Sequence, residues 1–233
     1  MVDHKQVYQQ EGDKYQRLIA REDYQGNLLP AIRGIVPFAG LDIVDMGSGT
    51  GRLANMLGPT ARSIYAFDKS VHMLGVAAGL LERLPEDHWL AAGADHRAIP
   101  LPQKSVDLIL SAWSFCYLVV WEGKIWKSAL VEGLREIKRV LREDGLVLLI
   151  ESLGTGVSEP QPPDKLKQYL NYLEELGFER TWIRTDYKFR SEDEAHDLVK
   201  FFFGEEMLNK IDLYAEPILP ECTGIWWCRA AEL

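Results

Sequence analysis

Asp45-Met46-Gly47-Ser48-Gly49-Thr50-Gly51 constrains this chain more than any other stretch. An apolar run, Leu41 to Met46, leads into it, and a helix-like stretch, Arg52–Leu57, follows. A strand that ends in a glycine turn and passes into a helix brings bare backbone to the carboxyl end of a sheet. That is where open α/β folds bind ligands. Missing side chains let a ligand approach the main chain, and the helix start offers free N–H groups.

The rest of the chain repeats this rhythm. Short apolar runs at Ser63–Phe67, Trp89–Ala92, Val106–Ala112 and Leu146–Ile150 read as buried parallel strands. Helical stretches at Val71–Leu84 and Ile125–Leu141 alternate with them. The alternation predicts a parallel sheet with helices on both faces. Beyond Glu151 a Gly/Pro-rich loop, Gly154 to Pro163, precedes a helix at Asp164–Leu176 stopped by Gly177. Glu179 to Phe189 alternates like a strand. Ser191 with Glu194 opens a helix that ends near Gly204. Thr223 to Arg229 reads as a last strand. The first forty residues read as one or two helices, interrupted near Gly26 and Pro30. With no repeat or long linker, one domain is the simplest organisation for 233 residues.

The ligand class follows from two residues that flank the glycines. A dinucleotide fingerprint needs glycine or alanine at position 52, where this chain has Arg52. Asp45, just before the turn, opposes a pyrophosphate and complements a ligand that carries ammonium and sulfonium charges. S-adenosylmethionine has both charges and no phosphate.

Asp45-x-Gly47-x-Gly49-x-Gly51 resembles the first motif of class I S-adenosylmethionine-dependent methyltransferases. The resemblance continues through Phe67-Asp68-Lys69-Ser70-Val71-His72-Met73-Leu74, Gly93-Ala94-Asp95-His96, Ser105 to Ala112 and Leu141 to Leu148. It is clear over roughly residues 40 to 152. It implies a Rossmann-like, doubly wound α/β fold with a seven-stranded, mostly parallel sheet of order 3-2-1-4-5-7-6. The last strand is antiparallel, helices cover both faces, and an N-terminal helical cap precedes them. The single domain of residues 1–233 would comprise a cap (1–40), a cofactor-binding half (41–152) and a half that completes the sheet (153–233).

The resemblance also implies residue roles. Asp45, Gly47, Ser48, Gly49 and Gly51 would form the cofactor loop. Asp68 would accept hydrogen bonds from both ribose hydroxyls, for which a two-oxygen carboxylate is suited. Lys69 and Met73 would lie near adenine and ribose. Asp95 would take the adenine amino group, with the main chain near His96 reading the ring. Ser111, at the end of the fourth strand, would face the methionine portion. S-adenosyl-L-methionine is the implied cofactor and S-adenosyl-L-homocysteine its product. No catalytic residue is assigned, because a methyl acceptor needs a general base only if it carries a proton to be lost.

Acceptor residues are expected on segments that cover the strand ends. Trp113, Ser114, Phe115, Tyr117 and Trp121 follow the fourth strand, and Tyr8, Tyr15 and Tyr24 lie near the N-terminus. Of these, Tyr15, Tyr24, Trp113 and Tyr117 are the chosen candidates. Aromatic rings line apolar pockets and face cations favourably.

A formal charge of −9 without a basic cluster argues against bare nucleic acid as partner. Three cysteines without CxxC spacing suggest neither a disulfide framework nor a zinc site. The histidines show no paired ligand spacing, so no metal is expected. No run of 18 apolar residues suggests a membrane span. The polar stretch Met1 to Arg21 lacks the apolar core of a secretory signal, so a cytoplasmic location is expected. The leading expectation is transfer of a methyl group to a small molecule, by a monomer or homodimer. A protein or RNA methyltransferase and a non-catalytic nucleoside-binding regulator are the alternatives.

Overall fold

A computed structural model describes residues 2–233; Met1, the first residue of the expected cap, lies outside the described residues. The apolar runs form β1 (Asp42–Met46), β2 (Ser63–Asp68), β3 (Trp89–Gly93), β4 (Val106–Ala112) and β5 (Leu141–Thr155). Four further strands follow: β6 (Glu179–Arg184), β7 (Tyr187–Lys188), β8 (Ile218–Leu219) and β9 (Glu221–Arg229). β1 pairs in parallel with β2 and β4, β2 with β3, and β4 with β5. The seven-stranded sheet has the order β3-β2-β1-β4-β5-β9-β6, with one strand antiparallel, so β9 stands where the seventh strand is expected. β7 and β8 form a separate antiparallel ribbon.

The chain divides into two compact units. The smaller comprises the residues up to Val36, Ser152–Pro162 and Trp182–Gly224. It contains α1 (His4–Gln10), α2 (Gly12–Ile19), α3 (Leu28–Ile35) and α9 (Glu192–Phe203). Leu18, Tyr187, Phe189, Leu198, Val199 and Leu219 make its core, with Phe202 and Phe203 packed against them. The phenylalanine run at the end of α9 is thus partly buried core. Ser191 Oγ accepts the N–H of Glu194, and Glu194 in turn accepts the N–H of Arg190, which fixes the start of α9.

Three expectations in this unit need correction. The first forty residues hold three helices rather than one or two, because the chain also breaks at Glu11 between α1 and α2. Pro30 does not interrupt a helix but sits in the first turn of α3, where no intrahelical donor is needed. The strand expected over Glu179 to Phe189 breaks at Thr185 and Asp186. Both are buried. Asp186 Oδ1 accepts the N–H of Glu221 at 2.9 Å, and its two oxygens clasp the Arg184 guanidinium at 2.8 and 2.7 Å. Local side-chain bonds here outcompete a continuous ladder.

The larger unit comprises Pro37–Glu151, Pro163–Thr181 and Ile225–Leu233. It holds α4 (Arg52–Leu57), α5 (Val71–Leu81), α6 (Tyr117–Val120), α7 (Trp126–Val140) and α8 (Asp164–Glu175). β1 and β4 run through its centre: Ile43, Val44, Leu108, Ile109 and Leu110 are fully buried. Each such side chain contributes roughly 1.5–3 kcal/mol on leaving water. β5 is longer than the expected Leu146–Ile150. Leu141 already pairs with Val106, and the register then shifts before Leu108 pairs with Leu146.

Candidate functional site

The glycine turn joins β1 to α4 inside the larger unit, and neighbouring main chain holds it. The N–H groups of Gly47 and Ser48 both donate to the Phe67 carbonyl at the end of β2, at 2.7 and 2.9 Å. Gly47 and Gly51 have φ of +75° and +81°, a region that side chains with a Cβ rarely adopt. A Cβ on Gly51 would lie 2.9 Å from the Ala77 Cβ, so its bareness also lets α5 pack against the turn.

Two carboxylates tie this turn to its supports. Asp45 is 2% exposed and accepts the N–H of Ala54 in α4 at 3.0 Å. Burial pushes its carboxyl up to about 7; the Ala54 N–H works the other way, and nearby Asp68 adds to the rise. Asp68, at the end of β2, accepts from the N–H of Gly49 at 2.9 Å and of Ser70 at 2.8 Å. Burial also raises its pKa, against the pull of those amides and of Lys69. A buried and a half-buried carboxylate beneath one turn favour a ligand that brings positive charge.

Two hydroxyls in the same region lack partners. Ser48 Oγ on the turn and Ser111 Oγ near the end of β4 are buried without a hydrogen-bond partner among the described residues. Such a hydroxyl is costly unless something else satisfies it.

The remaining cofactor candidates divide. Met73 is 1% exposed and packs into the core along α5. Asp95 is engaged: both its oxygens bond Arg97, and Lys69 forms an ion pair with it. Burial alone would raise its pKa, but the Arg97 and Lys69 contacts hold the carboxyl well below the usual range. Arg97 also reaches Glu122 at 3.2 Å. Asp95 thus anchors a surface ion cluster, which sequence alone does not reveal.

His96 points its ring inward. Its Nε2 lies 3.0 Å from Ser114 Oγ, and its ring centroid lies 5.7 Å from that of Phe115. Burial pushes the imidazole down to about 4, so it is neutral near pH 7. A Cβ on Gly47 would lie 1.8 Å from Ser114 Oγ and 2.8 Å from His96 Cε1. The His96 and Ser114 side chains therefore sit against the first glycine. The sequence assigns only main chain near His96 and names Ser114 in the acceptor segment without choosing it; a histidine beside the acidic end of β3 is the signal that points to the pair.

Of the acceptor candidates in this unit, Trp113 has φ +48° and the Arg52 guanidinium 5.4 Å from its ring centroid. Tyr117 stacks on Trp121 at 4.2 Å. In the smaller unit, Tyr15 meets Tyr8 edge-on at 5.4 Å and lies 5.3 Å from Phe202, within an aromatic cluster. Tyr24 is exposed, with the Lys188 ammonium 5.5 Å from its ring.

Glu151, at the carboxyl end of the buried stretch of β5, is fully buried. Its Oε1 accepts from the Cys116 N–H at 3.0 Å and the Tyr169 hydroxyl at 2.9 Å, while Oε2 has no partner. Burial raises its pKa to about 7. Cys116, Cys222 and Cys228 are buried and unbridged. Among the described residues no group of three or more His, Cys, Asp and Glu is placed to hold a metal, and no helix is long and apolar enough to cross a membrane.

Residues 44–149 match a family model described as a methyltransferase domain. Over that stretch the chain is similar to a methyltransferase domain. Over 117 residues it is 32% identical to a malonyl-acyl-carrier-protein O-methyltransferase of Serratia marcescens, covering 50% of this chain and 40% of that protein. Over 113 residues it is 29% identical to a demethylmenaquinone methyltransferase of Tropheryma whipplei, covering 48% and 42%. The matches span about half the length of such relatives. In structure the chain is similar to a SAM-dependent methyltransferase from Aquifex aeolicus, with a TM-score of 0.54 at 16% identity, covering 97% of this chain and 93% of that one. The matched residues include the glycine turn, Asp45, Asp68, His96 and Ser114.

Proposed function

We propose that this chain is an S-adenosylmethionine-dependent methyltransferase that acts on a small-molecule acceptor. One observation carries the reading: buried Asp45 and half-buried Asp68 are two carboxylates that support one glycine turn, and desolvation raises the pKa of both. A cationic ligand relieves that strain and a pyrophosphate worsens it. The residues present fit the cofactor. Ser48 Oγ and Ser111 Oγ are buried hydroxyls without partners, and no side chain projects from Gly47.

Within this reading Asp45 attracts the ammonium end, and Ser48 and Ser111 supply hydrogen bonds to the amino-acid portion. Asp68 keeps lone pairs for the ribose hydroxyls besides those it gives to Gly49 and Ser70. Asp95 contributes chiefly through Lys69, which it holds at the end of β2. When bound, the cofactor supplies an electrophilic methyl group. The chain's own part is to align an acceptor with that methyl and to exclude water. Trp113 and Tyr117 are proposed to line the acceptor side. The names of two relatives, a malonyl-acyl-carrier-protein O-methyltransferase and a demethylmenaquinone methyltransferase, support a small acceptor. A cytoplasmic location accords with that chemistry.

Methyl transfer from tritiated S-adenosylmethionine to a metabolite extract tests the activity. Labelled product that vanishes with Asp45→Ala supports it; binding without transfer to any small molecule contradicts it.

A further inference from the structure

Ser114 would not rest against Gly47 if the chain after β4 ran on in an ordinary extended form. Trp113 turns it. A tryptophan with φ +48° is an unfavourable backbone choice, and surrounding contacts must enforce it. Two do. The Trp113 N–H donates to the Ile150 carbonyl at 2.7 Å, and the Arg52 guanidinium lies over its indole. The turn delivers Ser114 Oγ to within 3.0 Å of His96 Nε2, directly over the bare first glycine.

We propose that His96 and Ser114 form a proton-accepting pair for a hydroxyl-bearing methyl acceptor, an inference that rests on the function proposed above. The Ser114 hydroxyl donates to a neutral His96 Nε2, which places the ring proton on Nδ1. Ser114 Oγ then has free lone pairs to receive the acceptor's hydroxyl. Three charged groups face the ring: Asp95 favours its protonated form, and Lys69 and Arg97 oppose it. Burial among Phe115 and the sheet edge outweighs Asp95, so the ring is free to take a proton.

The step balances as follows. The acceptor oxygen bonds to the methyl carbon as the carbon–sulfur bond breaks, and the sulfur keeps that electron pair. The acceptor's proton passes to Ser114 Oγ as the Ser114 proton passes to Nε2. The positive charge lost at sulfur reappears on the imidazolium, which later releases its proton to water. A weakly basic imidazole suffices, because an oxygen that has gained a methyl while keeping its proton is a strong acid. A carboxylate acceptor already has an exposed lone pair and gains nothing from such a pair.

Two measurements on the full chain test this. With S-adenosylhomocysteine bound, nitrogen-15 histidine NMR should show His96 as the Nδ1–H tautomer, neutral from pH 5 upward, with its Nε2 signal displaced by Ser114→Ala. Tritiated S-adenosylmethionine should label hydroxyl probes (phenol, catechol, benzyl alcohol). His96→Gln should lower kcat by about 100-fold or more, a larger loss than its effect on S-adenosylhomocysteine affinity. An Nε2–H tautomer, an Nε2 signal indifferent to Ser114→Ala, or label on benzylamine, thiophenol or benzoate but on no hydroxyl probe overturns the pair. Absence of label from every hydroxyl probe overturns it too. Failure of the parent reading is seen separately, as calorimetric silence toward S-adenosylhomocysteine itself.

Discussion

Asp68 Oδ2 accepts the Gly49 N–H at 2.9 Å. That one contact joins the end of β2 to the middle of the turn after β1. The same carboxylate receives the Ser70 N–H on its other oxygen, at 2.8 Å, just before α5 begins. The Asp68 side chain thus shapes the turn itself.

Asp68→Ala should therefore weaken S-adenosylhomocysteine binding both by loosening the turn and by removing a ribose acceptor. A charged acceptor contributes roughly 1–3 kcal/mol, or about 5- to 150-fold in Kd. Isothermal titration measures it, and Asp68→Asn should recover part of the loss. An unchanged Kd would remove Asp68 from the site.

Cofactor affinity should rise with pH through about 7, the value to which burial lifts Asp45. The sign follows from the ligand's charge. A cationic ligand favours the ionised carboxylate, so binding near pH 6 must release a proton. Titrations in two buffers of different ionisation enthalpy should then disagree in apparent enthalpy, and Asp45→Asn should abolish the disagreement. Without ligand the linkage runs the other way. The folded pKa exceeds the ordinary 3.8, so the stability Asp45 contributes is full below that value and is lost as pH rises through about 7.

Gly47→Ala should be damaging out of proportion to its one added carbon. The left-handed conformation costs a residue with a Cβ about 1–2 kcal/mol. The new atom would also meet Ser114 Oγ at 1.8 Å. Lower Tm and lost S-adenosylhomocysteine binding are expected. Ser114→Gly in the same chain should restore part of the Tm, and no restoration would argue against the contact.

Tyr169→Phe should destabilise the larger unit by about 1–3 kcal/mol, since Glu151 Oε1 loses one of its two donors. Burial lifts Glu151 to about 7, and the loss matters most when it is ionised. The penalty in urea unfolding should be larger at pH 8 than at pH 6. Equal penalties at both would show that Glu151 does not titrate in this range.

What could be read from the sequence has a physical pattern. β1 and β4 are short apolar runs buried on both faces, and β2 is a similar run buried on one, so composition alone marks them. α4 matches its expected bounds because glycines, Gly51 and Gly58, cap both its ends. Pro30 misled because a proline reads as a break unless the helix start is known. β6 read too long because Asp186 looks like one more polar residue of an alternating strand, while in the fold it caps Glu221 and pairs with Arg184. In the site, Asp45, Asp68 and the glycines stand out because their spacing is local. The His96–Ser114 contact does not, since its partners are 18 residues apart and meet only because Trp113 adopts an unusual φ.

The central claim is that the turn from Asp45 to Gly51 seats a sulfonium nucleoside and not a dinucleotide. Calorimetry of the full chain with S-adenosylmethionine, S-adenosylhomocysteine and NAD, each under one buffer, tests it most directly. Saturable heats with the first two and none with NAD are predicted. Tight NAD binding with silence toward both adenosyl ligands would contradict it.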